Sequence, residues 1–368
     1  MTIRLSASLF LLSLFTISCN ENLSVNIPLK PVDLTKDWAR AAPESQGFDN
    51  VFLTFAYQKA ETIGNLLSLI VIRNGYLVVE KYYNGNTVNS LNHIRSGTKS
   101  IISALTGIAI EKGFIKGTNE TLLQLIPSIV DTCSPAKKAI TLDNLLTMRS
   151  GFDWSEEGST GASGYDAWAS APDQINFLLQ KNLSYQPGTI FNYNSAAVHL
   201  ISVILTENTH RSTLDFLNNY LFRYLGITSE SWERDNRGYY NGAAGLQLRP
   251  VDIAKFGQLF LQKGNNGEQQ IIPKDWVEKS TSVIVPFYGY NTGSFRDVNY
   301  GYLWWIEKGH AHYAYTAWGY GGQFIYVVPD LNLVVVTTAK FNGLGSSVWQ
   351  QGSSIEDLIV NYIVRSVK

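Results

Sequence analysis

Apolar and polar positions follow two different periods in different parts of the chain. Towards the N-terminal side, apolar and β-branched runs at residues 67–73 and 76–83 flank Asn74-Gly75. Asn-Gly between two such runs predicts a β-hairpin, because a type I′ turn needs two positive φ angles. Three more apolar or alternating runs predict C-terminal strands, at residues 301–307, 323–328 and 333–339.

Helical periodicity marks other segments. Residues 98–112 are apolar on nearly every face of a helix, so we expect a buried helix there. Residues 251–262 repeat apolar side chains at helical intervals until Gly264, and residues 355–364 are expected to pack as a helix on the C-terminal strands. Residues 155–170 are rich in Gly, Ser and Ala, which predicts a surface loop, with a lid as the alternative.

The order of these segments predicts one discontinuous domain of the α/β (α+β) class. Strands at the two ends of the chain, about residues 45–115 and 290–368, are expected to build an antiparallel sheet flanked by helices. The intervening part, about residues 116–289, is expected to be a mostly helical insertion. Together these parts form a body over residues 41–368.

The N-terminal segment differs from this body. It holds a single cation, Arg4, followed by an apolar run at residues 9–17 and then Cys19. The run is too short to cross roughly 30 Å of hydrocarbon as a helix, but it suits the apolar part of a secretory signal peptide. Residues 16–19, Thr-Ile-Ser-Cys, resemble the lipobox of bacterial lipoproteins.

We therefore expect residues 1–19 to be a signal peptide with a lipobox, Cys19 to carry lipid, and residues 20–40 to be a tether. The protein is then an extracytoplasmic bacterial lipoprotein that faces the periplasm or the exterior. Its contact with the membrane would be through the lipid anchor only. An ordinary secretory signal and an uncleaved N-terminus are the alternatives.

Composition narrows the classes of function. The chain of 368 residues has a formal net charge of −1, so a nucleic-acid partner is not expected. Two cysteines cannot make a disulfide framework, and Cys133 is expected to be a small buried thiol. His310 and His312 alternate within an expected strand and have no third ligand at motif spacing, so no metal is predicted. The sequence has neither a dinucleotide-binding fingerprint nor a phosphate loop, and no cofactor is predicted.

Candidate chemistry begins at residues 93–100, His-Ile-Arg-Ser-Gly-Thr-Lys-Ser, where the expected buried helix starts. Three residues make about one helical turn, so Ser96 and Lys99 project from one face and their side chains can meet. A serine hydroxyl needs a base to take its proton, and burial lowers the pKa of a lysine so that it can act as that base. The alternative is that Ser96 caps the helix and Lys99 is exposed; the apolar neighbours of Lys99 favour the reactive pair.

Two more segments contribute a phenol and a glycine-containing strand. Tyr193 follows the Pro187-Gly188 turn and precedes an apolar helix, so a loop can present its side chain; a structural tyrosine is the alternative. Residues 317–323, Ala-Trp-Gly-Tyr-Gly-Gly-Gln, open a strand. Glycine there allows another backbone to approach closely, and unpaired strand N–H groups can point at a ligand oxygen.

These three pieces in this order resemble the serine β-lactamase-like hydrolase family, which includes class C β-lactamases, D-amino-acid peptidases, family VIII esterases and 6-aminohexanoate-dimer hydrolases. Further segments typical of that family lie at residues 140–154, 252–259, 300–305 and 328–330. The resemblance therefore extends from about residue 50 to the end of the chain. It implies a β-lactamase/transpeptidase-like fold.

The resemblance also implies roles for individual residues. Ser96 would be the nucleophile, Lys99 its partner base, and Tyr193 the group that relays a proton to the leaving group. The backbone N–H groups of Ser96 and Tyr320 would stabilise the oxyanion. The reaction would pass through an acyl-Ser96 intermediate that water then hydrolyses.

The chain departs from class C β-lactamases at two places. Residues 193–195 replace Tyr-x-Asn, so the hydroxyl of Ser195 takes the place of a substrate-binding amide. Residues 317–319 replace Lys-Thr-Gly. The resemblance implies that Gly319 would lie on the strand edge that lines the site, whereas the cation that would bind a carboxylate is missing at Ala317.

We therefore expect a secreted serine hydrolase, an esterase or amidase, whose partner is a small-molecule ester, amide or peptide substrate. The first alternative is a D,D-peptidase or weak β-lactamase that acts on peptidoglycan peptides or β-lactams. The second alternative is a non-catalytic penicillin-binding-like module that only binds a ligand.

Overall fold

The computed structural model describes residues 31–157, 164–228 and 230–368. Within these residues the strands are β1 (Leu66–Arg73), β2 (Tyr76–Tyr82), β3 (Asn92–His93), β4 (Glu230–Trp232), β5 (Leu246–Leu248), β6 (Val298–Tyr300), β7 (Trp305–Glu307), β8 (Ala314–Gly319), β9 (Gln323–Val328) and β10 (Leu333–Ala339). Seven of them form an antiparallel sheet in the order β2-β1-β10-β9-β8-β7-β6, and β3, β5 and β4 form a smaller sheet.

Helices of the described residues cover both sheets. The α-helices are α1 (Asn50–Glu61), α2 (Thr98–Glu111), α3 (Leu122–Leu125), α4 (Pro135–Lys138), α5 (Leu142–Leu146), α6 (Tyr165–Ala169), α7 (Gln174–Leu179), α8 (Ser195–Thr209), α9 (Thr213–Tyr220), α10 (Pro250–Leu261), α11 (Lys274–Ser280) and α12 (Ser347–Asp357). A π-helix, Leu358–Ile363, continues α12, and a short 3-10 helix, Arg95–Gly97, precedes α2.

The larger sheet joins the two ends of the chain. β1 pairs antiparallel with β10, although more than two hundred residues separate them in sequence. The turn between β1 and β2 consists of Asn74 and Gly75, whose φ angles of 52° and 82° are the two positive values of a type I′ turn. The predicted antiparallel sheet with flanking helices is therefore confirmed.

Both faces of this sheet are buried, which explains why its strands are apolar runs rather than clean alternations. Along β1, Ile70 and Ile72 belong to one hydrophobic cluster, and Leu69 and Val71 belong to another. The first cluster contains α2, α8 and α10, and the second contains α1 and the C-terminal helix. Adjacent side chains of a strand point to opposite faces, so each face of β1 contributes to a separate core.

The predicted helical part differs from the structure in two respects. It contains the short strands β4 and β5, of which β5 pairs with both β4 and β3, next to the start of α2. In addition, α10 lies against β1, β9 and β10 and belongs to the layer that covers the larger sheet. Gly257 explains the close contact, because a Cβ atom at this position would lie 2.7 Å from Cγ1 of Val334.

The predicted tether over residues 20–40 is wrong for its described part, because residues 32–40 pack on the body. The Leu34 side chain is 1% exposed, and its N–H donates to the Asn266 carbonyl at 2.8 Å. The indole N–H of Trp38 donates to the carbonyl of Val251 at 3.1 Å. The expected signal peptide and lipobox fall on residues 1–30, which lie outside the described residues.

Several local predictions also need correction. Residues 301–304 do not continue strand β7, which begins at Trp305. His310 and His312 lie in the connection between β7 and β8 rather than on a strand, and each is held by a separate acceptor: the Ser294 carbonyl and the Asp330 carboxylate, respectively. The thiol of Cys133 is free, and its residue is only half-buried.

The segment predicted as a loop at residues 155–170 is described in part. Residues 164–170 include the short helix α6, and residues 158–163 lie outside the described residues, so the lid alternative stays untested. None of the helices in the described ranges is long and apolar enough to cross a bilayer.

Candidate active site

A cavity of about 550 Å³ opens where three parts of the chain meet. Its walls come from the turn before α2, from the residues before α8, and from the end of β8. Ser96, Tyr193 and Tyr320 line it directly. The three sequence segments that carry the predicted chemistry are thus brought together in one place.

Ser96 and Lys99 form the polar centre of this cavity. Ser96 lies in the 3-10 turn and Lys99 is in the first turn of α2, so both side chains project from the same side of the helix start. The Lys99 Nζ atom donates to Ser96 Oγ at 2.9 Å and to the carbonyl of Ala243 at 2.9 Å. The alternative of an exposed lysine is excluded, because the Lys99 side chain is 1% exposed.

The surroundings of Lys99 make its amine a base. Burial lowers the pKa of Lys99 to about 7, the negative charge of Glu156 raises it, and the positive charge of Arg95 lowers it. A large fraction of the amine is therefore neutral near pH 7 and can accept the Ser96 proton.

Tyr193 also lies next to the amine. Asn194 caps α8 by accepting from the N–H of Ala197 at 2.9 Å, which fixes the backbone just after Tyr193. The Tyr193 ring centre lies 5.0 Å from Lys99 Nζ, and the ring stacks on Trp305 at 5.8 Å. Burial and the charge of Glu156 raise the pKa of Tyr193, while a hydrogen bond with Ser96 lowers it. The net effect is upward, so the phenol keeps its proton at neutral pH.

Two backbone N–H groups at the cavity wall are available to a ligand. Apart from hydrogen bonds internal to helices and strands, neither the N–H of Ser96 nor that of Tyr320 donates to another group in the described part of the chain. Their approach depends on Gly319, where a Cβ atom would lie 2.3 Å from the carbonyl oxygen of Ile94. Gly319 itself lies behind the wall, in β8, and acts by letting this strand end lie against the Ser96 turn.

The family model described as Beta-lactamase matches residues 66–348, more than half of the chain. The chain belongs to the beta-lactamase family. It is 21% identical over 304 residues to 6-aminohexanoate-dimer hydrolase of Paenarthrobacter ureafaciens, covering 77% of this chain and 74% of that protein. It is also 24% identical over 220 residues to Protein flp of Staphylococcus aureus (strain MRSA252), which covers 57% of this chain but only 43% of the length of flp.

Solved structures with low sequence identity to this chain have the same fold. The octameric penicillin-binding protein homologue from Pyrococcus abyssi superposes with a TM-score of 0.66 at 16% identity, covering 85% of this chain and 77% of that one. EstCE1, a hydrolase with promiscuous acyltransferase activity, superposes with a TM-score of 0.64 at 16% identity, covering 83% of this chain and 98% of that one. The β-lactamase/transpeptidase-like fold is therefore confirmed.

Ser195 was predicted to bind the substrate, but in this beta-lactamase family member it does not line the cavity. It is fully buried in the first turn of α8, and its hydroxyl and its backbone N–H both donate to the carboxylate of Glu156. The hydroxyl therefore holds an acidic side chain instead of a substrate.

Glu156 is a site residue that the sequence reasoning missed. Its carboxylate lines the cavity, accepts from the indole N–H of Trp154 at 2.8 Å, and is bound by Ser195. It is the largest source of charge acting on Lys99 and Tyr193. The sequence signal for Glu156 is its place two residues after the family-typical segment that ends at Trp154. That signal does not distinguish Glu156 from the next residue, Glu157, which is also a glutamate.

Arg95 is the second missed residue. Its side chain lines the cavity next to Ser96. Residue 317, on β8, is a buried alanine and supplies no cation. The motif of class C β-lactamases points to a cation at residue 317 and gives no signal for the residue that precedes Ser96. Among the described residues, no cluster of three or more His, Cys, Asp or Glu side chains is suited to hold a metal ion.

Proposed function

We propose that this protein is a serine hydrolase that cleaves an ester or amide through an acyl-Ser96 intermediate. The observation that carries the proposal is the short hydrogen-bonded contact between Ser96 Oγ and a buried amine whose pKa is lowered to about 7. A lysine without a chemical task is rarely fully buried, because burying an amine opposes its charged form. A module that only bound a ligand would not need this arrangement.

The geometry supports a two-step reaction. Lys99 accepts the Ser96 proton as Oγ forms a bond to the substrate carbonyl carbon, and the negative charge on the carbonyl oxygen is met by the N–H groups of Ser96 and Tyr320. Tyr193 donates its proton to the leaving alkoxide or amine as the ester or amide bond breaks. Water then attacks the acyl-Ser96 carbonyl carbon and gives its proton to the Tyr193 phenolate. The bond between that carbon and Ser96 Oγ breaks, protonated Lys99 returns a proton to Oγ, and the acid product leaves.

Labelling with a fluorophosphonate probe tests the nucleophile. We expect wild-type protein to be labelled at Ser96, and Ser96→Ala to lose both the label and the hydrolysis of 4-nitrophenyl butyrate. Ser45→Ala, which removes an exposed serine outside the cavity, serves as the control and should keep both. Labelling of Ser96→Ala at the wild-type rate would contradict the proposal.

The class of substrate is tested with a panel. Ala317 stands where class C β-lactamases have a lysine, so we propose ester or amide hydrolysis rather than cleavage of β-lactams or peptidoglycan peptides. 4-Nitrophenyl butyrate should be turned over faster than nitrocefin and D-Ala-D-Ala peptides. Faster turnover of either of the last two would favour the D,D-peptidase or β-lactamase alternative.

We also propose that the hydrolase works outside the cytoplasm, attached by lipid at Cys19. The support is the sequence of residues 1–19, whose apolar run ends in Thr-Ile-Ser-Cys. Metabolic labelling of the full chain with an alkyne fatty acid should mark the wild-type protein and not Cys19→Ala. Equal labelling of the two proteins would exclude an anchor at this cysteine.

A further inference from the structure

Arg95 occupies an unusual place in the cavity. It directly precedes the Ser96 nucleophile and has a φ angle of 49°, which a residue with a side chain rarely adopts. Such left-handed conformations cluster at functional sites, where the surrounding structure enforces them. This conformation puts the Arg95 side chain along the cavity wall instead of in the core.

The guanidinium of Arg95 is surrounded by aromatic rings but has no polar partner. Its central carbon lies 4.7 Å from the ring centre of Phe341, 5.5 Å from that of Tyr165 and 5.8 Å from that of Tyr320. Nε is buried without a hydrogen bond, and the side chain forms no ion pair or hydrogen bond with any described residue. The rings fix the position of the cation, and the N–H groups of the two terminal nitrogens, Nη1 and Nη2, are the ones that stay available to an acceptor.

The acidic groups around Arg95 do not supply that acceptor. The carboxylate of Glu156 is bound by Ser195 and Trp154. Glu233 lies beside His93, with Oε1 and Nε2 3.6 Å apart. Glu157 and Asp166 line the mouth of the cavity, and both are exposed to solvent. The positive charge of Arg95 is therefore uncompensated by any ion pair within the described part of the chain.

We propose that Arg95 binds a carboxylate of the substrate, so that the preferred substrates are esters or amides that carry a free carboxylate. The inference rests on the proposed function, because it assigns the substrate class of the same cavity. A guanidinium presents two parallel N–H donors that match the two oxygens of a carboxylate. Arg95 directly precedes the nucleophile, whereas Ala317 lies on β8. A carboxylate bound by Arg95 therefore lies at a different position relative to the scissile bond than a carboxylate bound by a cation at residue 317.

Two esters of equal chain length test this assignment. 4-Nitrophenyl hexanoate is neutral, and mono-4-nitrophenyl adipate differs by a terminal carboxylate. We expect the wild-type enzyme to prefer the adipate ester, and Arg95→Met to lower kcat/KM for the adipate ester at least 30-fold more than for the hexanoate ester. Arg95→Lys keeps the charge but not the paired donors. Its preference for the adipate ester should lie between that of the wild-type enzyme and that of Arg95→Met.

The matched control is Arg223→Met, since Arg223 also stacks on a tyrosine, at 5.1 Å from the Tyr224 ring centre, but does not line the cavity. It should leave the ratio of the two kcat/KM values unchanged. If Arg95→Met reduces both esters by the same factor, Arg95 does not recognise the carboxylate and the inference is overturned.

A binding measurement separates this inference from the proposed function. Calorimetric titration of Ser96→Ala with monomethyl adipate needs no turnover and should give saturable binding. The protein that carries both Ser96→Ala and Arg95→Met should bind monomethyl adipate at least tenfold more weakly. If neither ester is hydrolysed and Ser96 is not labelled, the proposed function fails, while retained Arg95-dependent binding still supports the carboxylate site. Absence of binding to Ser96→Ala overturns the site.

Discussion

At Lys99, a primary amine that is charged in water is held at the start of a buried helix with 1% of its surface exposed. Its spacing from Ser96 and its apolar neighbours are visible in the sequence, so the pair was predictable. Glu156 was not, because its effect on Lys99 depends on a distance across the fold. Arg95 is only four residues from Lys99, but the sequence does not show that its backbone has a φ angle of 49° and that its side chain lines the cavity. Local spacing predicts contacts along one helix turn, whereas charges that meet from separate loops require the tertiary structure.

The pH dependence of hydrolysis is predicted at this scale. Lys99 acts as a base only when it is neutral, so kcat/KM for a neutral ester should rise with pH through about 7, the value to which burial lowers the pKa of Lys99. Glu156 raises that pKa, so Glu156→Gln should move the rise to lower pH while keeping a hydrogen-bond acceptor for Ser195.

Glu157→Gln is the matched control, because Glu157 is the neighbouring exposed acid and does not contribute to the Lys99 shift. Its pH profile should superpose on that of the wild-type enzyme. A profile of Glu156→Gln that does not move, or that moves to higher pH, would show that Glu156 does not set the basicity of Lys99.

At the scale of elements, the sequence predicted those whose signal is local. The β1–β2 hairpin follows from two residues that tolerate positive φ, and α2 follows from an apolar run. The extent of β7 was overestimated, because residues 301–304 are apolar for packing rather than for pairing: Trp304 is fully buried and the N–H of Gly301 donates to its carbonyl. Apolar runs report burial, and only the fold decides whether the backbone also pairs.

Gly319 connects an element to the site. Gly319→Ala would place a Cβ atom 2.3 Å from the Ile94 carbonyl oxygen, so the end of β8 must move away from the Ser96 turn. We expect the free energy of unfolding to fall by about 1–3 kcal/mol, as for other overpacked positions. We also expect kcat/KM to fall about 100-fold, because a small displacement of oxyanion donors is costly.

The control is Gly352→Ala in α12, where a Cβ atom would meet nothing within 4 Å. Alanine favours a helix over glycine by about 1 kcal/mol, so this variant should be at least as stable as wild type with unchanged kcat/KM. Urea denaturation and steady-state kinetics measure both quantities. Wild-type activity in Gly319→Ala would show that the close approach of β8 is not needed for catalysis.

At the scale of the whole molecule, strands from the two ends of the chain meet in one sheet, and the order of predicted elements was enough to suggest this. What the order did not show is that residues 32–40 belong to the body. This segment has no periodicity, so apolar side chains such as Leu34 and Trp38 gave no signal until their partners near α10 were known.

The packing of that segment gives the last prediction. Leu34→Ala removes a side chain that is 1% exposed and packed in the main core, so the free energy of unfolding should fall by about 2–4 kcal/mol, as for other buried leucines. Leu123→Ala, which truncates a leucine that is 48% exposed, should change it by less than about 0.5 kcal/mol. A protein that starts at residue 41 should unfold at a lower urea concentration than one that starts at residue 31, because the Leu34 and Trp38 contacts are lost. Equal midpoints for these two shortened proteins would mean that residues 31–40 are a tether after all.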